Sequence, residues 1–151
     1  MELTADTVRH YLVHVFTGIE HVLARMDDET VNRRPEGWGT NSVAGLVVHC
    51  CELAPSWFEM PGVGRESIRV RDAEFTTEAT VEELRARVAG AVARTHALAA
   101  EFDRGPTATD HEFRAFLPGG DRTDAALVLH VFEELFQHLG HMEVTADALG
   151  R

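Results

Sequence analysis

Four stretches of the chain repeat apolar residues every three or four positions, which is the spacing of one face of an α-helix. Breaks rich in glycine and proline separate them, and no long stretch alternates as a strand would. Four long helices predict an all-α fold, namely a four-helix bundle. We expect one domain over residues 1–151. The helices are predicted at Thr4–Arg25, Asn41 or Ser42–Met60, Thr77–Phe102, and Asp121 or Thr123–Leu149.

Local signals refine the ends of these helices. Ser42 is a good N-cap, and the spacing from Thr80 to Glu83 is typical of a capping box. Pro55 lies inside the second predicted helix, and we expect it to kink that helix or to end it early. Residues 61–76 form a long loop, which we expect to cross the bundle between the second and third helices.

The fourth predicted helix carries polar groups on its inward face. A stripe with steps of three and four residues begins with apolar side chains and then holds one carboxylate, Glu134, and two imidazoles, His138 and His141. Glu134 and His138 are one turn apart, so both side chains can reach the same ion. The whole stripe is Leu127, Val131, Glu134, His138, His141 and Thr145.

The second predicted helix supplies a third group. His49 interrupts an inward stripe that is otherwise apolar: Leu46, His49, Cys50, Leu53 and Trp57. Two histidines and a glutamate from facing helices are a three-ligand set with open positions, which is typical of a catalytic metal centre. The spacing therefore predicts a divalent metal site at His49, Glu134 and His138.

Each of these residues also has an ordinary structural interpretation. His49 alone could be a hydrogen-bonded histidine in the core, and Glu134 with His138 could be a simple hydrogen-bonded pair. His130 competes for the metal, but it lies about 12 Å of helix rise from His138, so both cannot bind one ion. His141 could orient a ligand or, like His130, act as an acid or base.

The remaining histidines and the two cysteines fit other roles. We interpret them as surface or boundary histidines, at positions 10, 14, 21, 96 and 111. Cys50 and Cys51 are adjacent on a helix and point in different directions, so a disulfide between them is not expected. We interpret both as core residues, with a thiolate near the metal as the alternative.

Composition and charge exclude several classes of partner. The chain has 25 acidic and 14 basic residues, all of the latter arginine, and a formal charge of −11. Nucleic acids and anionic membranes select clustered positive charge, so neither is an expected partner. The N-terminus lacks the basic and apolar segments of a signal peptide, and no apolar run is long enough for a membrane helix. We expect a cytoplasmic protein.

Two segments of the sequence resemble a known superfamily. Residues 38–49 read WGTNSVAGLVVH and are similar to the start of the second helix in DinB-like proteins. Residues 130–141 read HVFEELFQHLGH and resemble the fourth-helix motif, in the Glu-x-x-x-His-x-Gly-His form. That form, with RDAEF at 71–75 and TVEEL at 80–84, resembles the branch of mycothiol-dependent maleylpyruvate isomerase.

The resemblance implies a DinB/YfiT-like bundle with a crossover connection. It also implies one divalent metal, zinc first and nickel second, held by His49, Glu134 and His138. Mycothiol is the implied co-substrate, since members of the superfamily transfer or isomerise with such thiols, and a homodimer is common among them. We expect no counterpart of the extra C-terminal domain of the isomerase.

We therefore expect a metal-dependent thiol S-transferase or isomerase that joins a small-molecule thiol to an electrophile. Arg69, Arg71 and Phe75 in the long loop would meet the polar groups of the thiol. A metal-dependent hydrolase that activates water is the first alternative. A metal-binding stress protein without catalysis is the second, and a non-haem iron oxygenase is a remote third.

Overall fold

The computed structural model describes residues 3–37, 39–59, 70–99, 117, 119 and 123–151. Side chains are described for all of these except residues 57–59, 98–99 and 124. These parts of the chain are helical and contain no strand, which confirms the all-α prediction. The α-helices are α1 (Ala5–Leu23), α2 (Val43–Glu59), α3 (Arg71–Glu74), α4 (Val81–Ala99) and α5 (Asp124–Ala148), with a 3-10 turn at Thr30–Asn32.

The long helices α1, α2, α4 and α5 are the four predicted ones, and α3 is a correction. This single turn, Arg71–Glu74, falls in the segment that was predicted to be loop. Helix α4 begins at Val81 rather than near Thr77. The predicted ends at Met60 and Phe102 lie outside the described residues.

A serine or threonine hydroxyl caps the first turn of every long helix. Each accepts a hydrogen bond of 3.1–3.2 Å from the backbone N–H three residues later. At α4 the partnership is reciprocal, because the Thr80 N–H donates to the Glu83 carboxylate at 2.8 Å. This capping box fixes the start of α4 and holds the pKa of Glu83 below its usual value. The four caps are Thr4, Ser42, Thr80 and Thr123.

Removing the cap of α4 should destabilise the fold without touching the histidines. Thr80→Ala leaves an N-terminal N–H without its hydroxyl acceptor, and we expect a loss of about 1 kcal/mol in the free energy of unfolding. Urea unfolding followed by circular dichroism measures it. Thr80→Ser keeps the hydroxyl and should unfold close to the wild type. Equal losses in both variants would contradict this role.

Helix α2 passes through its internal proline. It continues to Glu59, so the expectation that Pro55 ends the helix early is wrong. A proline removes the hydrogen bond to the carbonyl four residues earlier, here that of Cys51. Pro55 is buried one turn before the end of α2, and the helix continues past it.

Side-chain contacts fix the directions of the helices. The Arg25 guanidinium, just after α1, donates to Asp147 and to the carbonyl of Arg151 at the end of α5. Helices α1 and α5 therefore end at the same end of the bundle. At that end α4 also begins, because Asp28 accepts a hydrogen bond from the Val81 N–H at 2.8 Å.

Helices α2 and α4 run parallel and in contact. The start of α2 lies at the same end, because Gly45 approaches the backbone of Phe75, a few residues before α4. This parallel arrangement is what the predicted crossover connection requires, and residues 60–69 of that connection lie outside the described residues.

Helix α1 packs against α4 and α5, and α2 packs against the same two helices. Helices α1 and α2 therefore lie diagonally opposite each other, and the core fills the space between the four helices. The predicted stripe of α1 is buried along its length. No helix in the described ranges is long and apolar enough to cross a membrane. The fully buried side chains include Leu12, Phe16, Ile19, Leu46, Leu84, Leu127, Leu135 and Met142.

Candidate metal centre

Three predicted ligands meet between α2 and α5. The Nε2 atoms of His49 and His138 lie 3.9 Å and 3.5 Å from the same oxygen, Oε2 of Glu134. Ligand atoms of all three side chains lie within 4.8 Å of one another. The rings of His49 and His138 meet edge to face, with centroids 4.5 Å apart.

The helices bring these residues together by simple periodicity. His49 lies on the second turn of α2, whose inward face also carries Leu46 and Leu53. Glu134 and His138 occupy successive turns of α5 and follow the buried Val131 along one stripe. Because α2 and α5 pack against each other, the two faces place their polar positions opposite one another.

The donor set and its spacing fit a divalent transition metal. Two ligands of a tetrahedral zinc ion, each about 2.1 Å from the metal, lie about 3.4 Å apart. The two Nε2–Oε2 distances are near that value. Imidazole nitrogen and carboxylate oxygen are also ligands that zinc and nickel accept.

The three side chains differ in their exposure to solvent. His49 is buried, with 1% of its side chain exposed, whereas His138 and Glu134 keep 17% and 28% exposed. Glu134, which the stripe on α5 predicts to face inward, is therefore only partly buried. The cluster is therefore partly exposed through Glu134 and His138.

Burial lowers the pKa of the His138 imidazole below its usual value, against the opposing attraction of the Glu134 carboxylate. The charges of His141 and Arg71 act in the same direction as burial. A lowered pKa keeps this imidazole neutral at neutral pH. A neutral ring is the form that binds a metal.

The structure adds Glu74, which the sequence did not single out as a site residue. Its Oε2 lies 2.8 Å from Nδ1 of His49, and only 6% of its side chain is exposed. Glu74 is one of 25 acidic residues, and it lies in a four-residue helix too short for a periodic pattern. Its one sequence signal was the motif at 71–75, which contains Glu74 itself.

Phe75 and Arg71 lie beside His49, next to the cluster of the three predicted ligands. The Phe75 ring stacks on His49 with centroids 4.6 Å apart and an interplanar angle of 27°. The Arg71 guanidinium lies 5.5 Å from the centroid of that ring. An exposed cation and an aromatic face therefore border the cluster, while Arg69 lies outside the described residues.

The other candidate residues are placed apart from the three ligands. His130 has its Nδ1 3.5 Å from Glu133 and does not join the cluster. His141 is partly buried one turn beyond His138, and its charge influences that ring. His10, His14 and His21 are exposed as predicted, His96 is partly buried, and His111 lies outside the described residues.

Both cysteines are buried, as the core interpretation predicted. Burial, together with the charge of the nearby Glu52, raises the pKa of the Cys51 thiol to about 12. A thiol with such a pKa carries no thiolate at neutral pH. Neither cysteine belongs to the group of ligand atoms around Glu134.

These features define a class: a DinB-like helical bundle with a candidate metal centre of two histidines and a glutamate. The family model described as mycothiol-S-transferase matches residues 7–149. The chain therefore belongs to the mycothiol-S-transferase family, and the expected relationship to the mycothiol-using branch is confirmed. Neither a curated protein nor a solved structure matches it.

Proposed function

We propose that this protein is a divalent-metal-dependent S-transferase that joins mycothiol, or a similar low-molecular-weight thiol, to an electrophile. His49, Glu134 and His138 would hold the ion, with zinc as the first choice and nickel as the second. The observation that carries the proposal is the convergence of three metal-binding side chains in a chain of this family. Buried cysteines suit a reducing cytoplasm, and the homodimer stays a prediction.

The net charge of the donor set suits a thiolate. Two neutral imidazoles and one carboxylate leave a divalent ion with a charge of +2 − 1 = +1. A bound ion would lower the pKa of a coordinated thiol, so that the nucleophile forms at neutral pH. Three protein ligands leave a position for it, which a structural site would fill with a fourth side chain.

The residues around the cluster would bind and orient the two substrates. Arg71 is exposed beside Phe75 and offers its guanidinium to the polar groups of the thiol. Phe75 covers one face of His49 and excludes water from that side. His141, one turn from His138, is the nearest candidate to give a proton to a leaving group.

A substrate panel on protein purified without a histidine tag tests this function. The chain, loaded with zinc or nickel, is mixed with mycothiol and 1-chloro-2,4-dinitrobenzene, and with ester and amide substrates without thiol. We expect conjugation that needs both metal and thiol. Hydrolysis without thiol would replace the proposal by a metal-dependent hydrolase, and metal uptake without any turnover would replace it by a non-catalytic metal-binding protein.

A further inference from the structure

The turn formed by α3 contacts the deepest ligand of the candidate centre. Glu74 is buried, and its carboxylate oxygen lies 2.8 Å from Nδ1 of His49. A carboxylate oxygen accepts hydrogen bonds, and we therefore assign the donor role in this contact to Nδ1 of His49. A neutral His49 ring then carries its proton on Nδ1 and presents the lone pair of Nε2.

That lone pair faces the other two ligands, because Nε2 of His49 lies 3.9 Å from Oε2 of Glu134. The opposite tautomer would place a proton on Nε2 and block the metal-binding atom. We propose that Glu74 is a positioning residue that fixes the tautomer and orientation of His49 for metal binding. This inference rests on the metal site proposed above.

The backbone around Glu74 is held by contacts on two sides. The Arg34 guanidinium donates to the carbonyl of Phe75 at 2.8 Å. On the other side, Gly45 of α2 allows a close approach: a Cβ there would lie 2.9 Å from the Phe75 oxygen and 3.0 Å from its Cα. The Phe75 ring also stacks on His49. These contacts fix α3 against α2 at the turn that carries His49.

Burying a glutamate side chain costs free energy unless polar partners replace the lost water. The hydrogen bond to the His49 imidazole replaces part of that hydration. Outer hydrogen-bond partners of metal ligands typically change metal affinity by about 10- to 100-fold when they are removed. A carboxylate partner also makes the ring more basic and hence a stronger ligand. Glu74 has both the position and the charge for this role.

The test begins with the metal-free wild type. Two-bond nitrogen–proton correlation spectra at pH 8 report which nitrogen of His49 carries the proton. We expect the Nδ1–H form in the wild type. Finding Nε2–H there would overturn the proposal without the need for any variant.

Two variants then measure the consequence for zinc affinity. Glu74→Met keeps the volume but cannot accept a hydrogen bond, so we expect zinc to bind about 10- to 100-fold more weakly. Glu74→Gln keeps an acceptor oxygen and should restore the Nδ1–H form and most of the affinity. Asp72→Asn, at an exposed position of the same turn, is the matched control and should bind as the wild type.

The outcomes separate this inference from the proposed function. Wild-type affinity in Glu74→Met, with an unchanged spectrum, would overturn the role of Glu74 while leaving the metal site intact. A wild type that binds no zinc would instead overturn the metal site itself. Should Glu74→Met fail to fold, the wild-type spectrum and the Glu74→Gln variant still decide, since wild-type zinc affinity in a Glu74→Gln protein whose His49 carries its proton on Nε2 would contradict the proposal.

Discussion

His138→Ala should lower kcat/KM for thiol transfer by at least about 30-fold at pH 7. An ordinary thiol with a pKa near 8.5 is about 3% ionised at that pH. Complete ionisation at the metal would therefore raise the thiolate concentration, and with it the rate, by about 30-fold. Positioning of the thiol adds to this figure. His138 is partly exposed, so its truncation removes a ligand with little damage to the core.

The loss of activity in His138→Ala should depend on pH. As the pH rises past the pKa of the free thiol, the substrate ionises by itself, and the part of the loss that comes from ionisation should shrink. Glu134→Gln should also lower kcat/KM for thiol transfer, because the site loses its negatively charged ligand. His21→Ala removes an exposed imidazole on α1 and should keep wild-type turnover. Wild-type rates in His138→Ala would contradict the assignment of this residue as a ligand.

Among the variants considered for stability, Phe16→Ala should lower the free energy of unfolding most. Phe16 is among the largest fully buried side chains, and it packs in the core on α1. Truncation of a buried phenylalanine costs about 3–5 kcal/mol through lost burial and the cavity left behind. For a chain of this size that corresponds to a fall in Tm of about 6–20 °C. Calorimetry and urea unfolding measure the two quantities.

A neighbouring position provides the control for Phe16. Val13 lies on the same helix but is 45% exposed, so Val13→Ala should change the free energy of unfolding by no more than about 0.5 kcal/mol. Similar losses in the two variants would show that α1 does not bury the face that the structure assigns to it.

The sequence predicted the parts of the fold that depend on local pattern. The stripe of α1 follows helical spacing over five turns, and Thr80 with Glu83 marks the start of α4 through a bond between residues three positions apart. His49 and Glu134 could be paired because each interrupts an apolar stripe. Polar residues in such stripes are rare enough to stand out.

The parts that the sequence missed depend on contacts between distant residues. Helix α3 has four residues and no period, so nothing in its pattern separates it from loop. Glu74 bonds to a residue 25 positions away, and only the folded chain makes that pairing. Of the two effects predicted for Pro55, the early end of α2 is wrong, since the helix continues to Glu59, and the kink stays a prediction.

X-ray absorption at the zinc edge, on tag-free protein with and without mycothiol, tests the central claim most directly. We predict one zinc per chain with only nitrogen and oxygen ligands, including two imidazoles, and a sulfur ligand at about 2.3 Å once mycothiol is added. Sulfur present before the thiol is added would indicate a protein cysteine as a ligand. A zinc shell that does not change on addition of mycothiol would contradict the account.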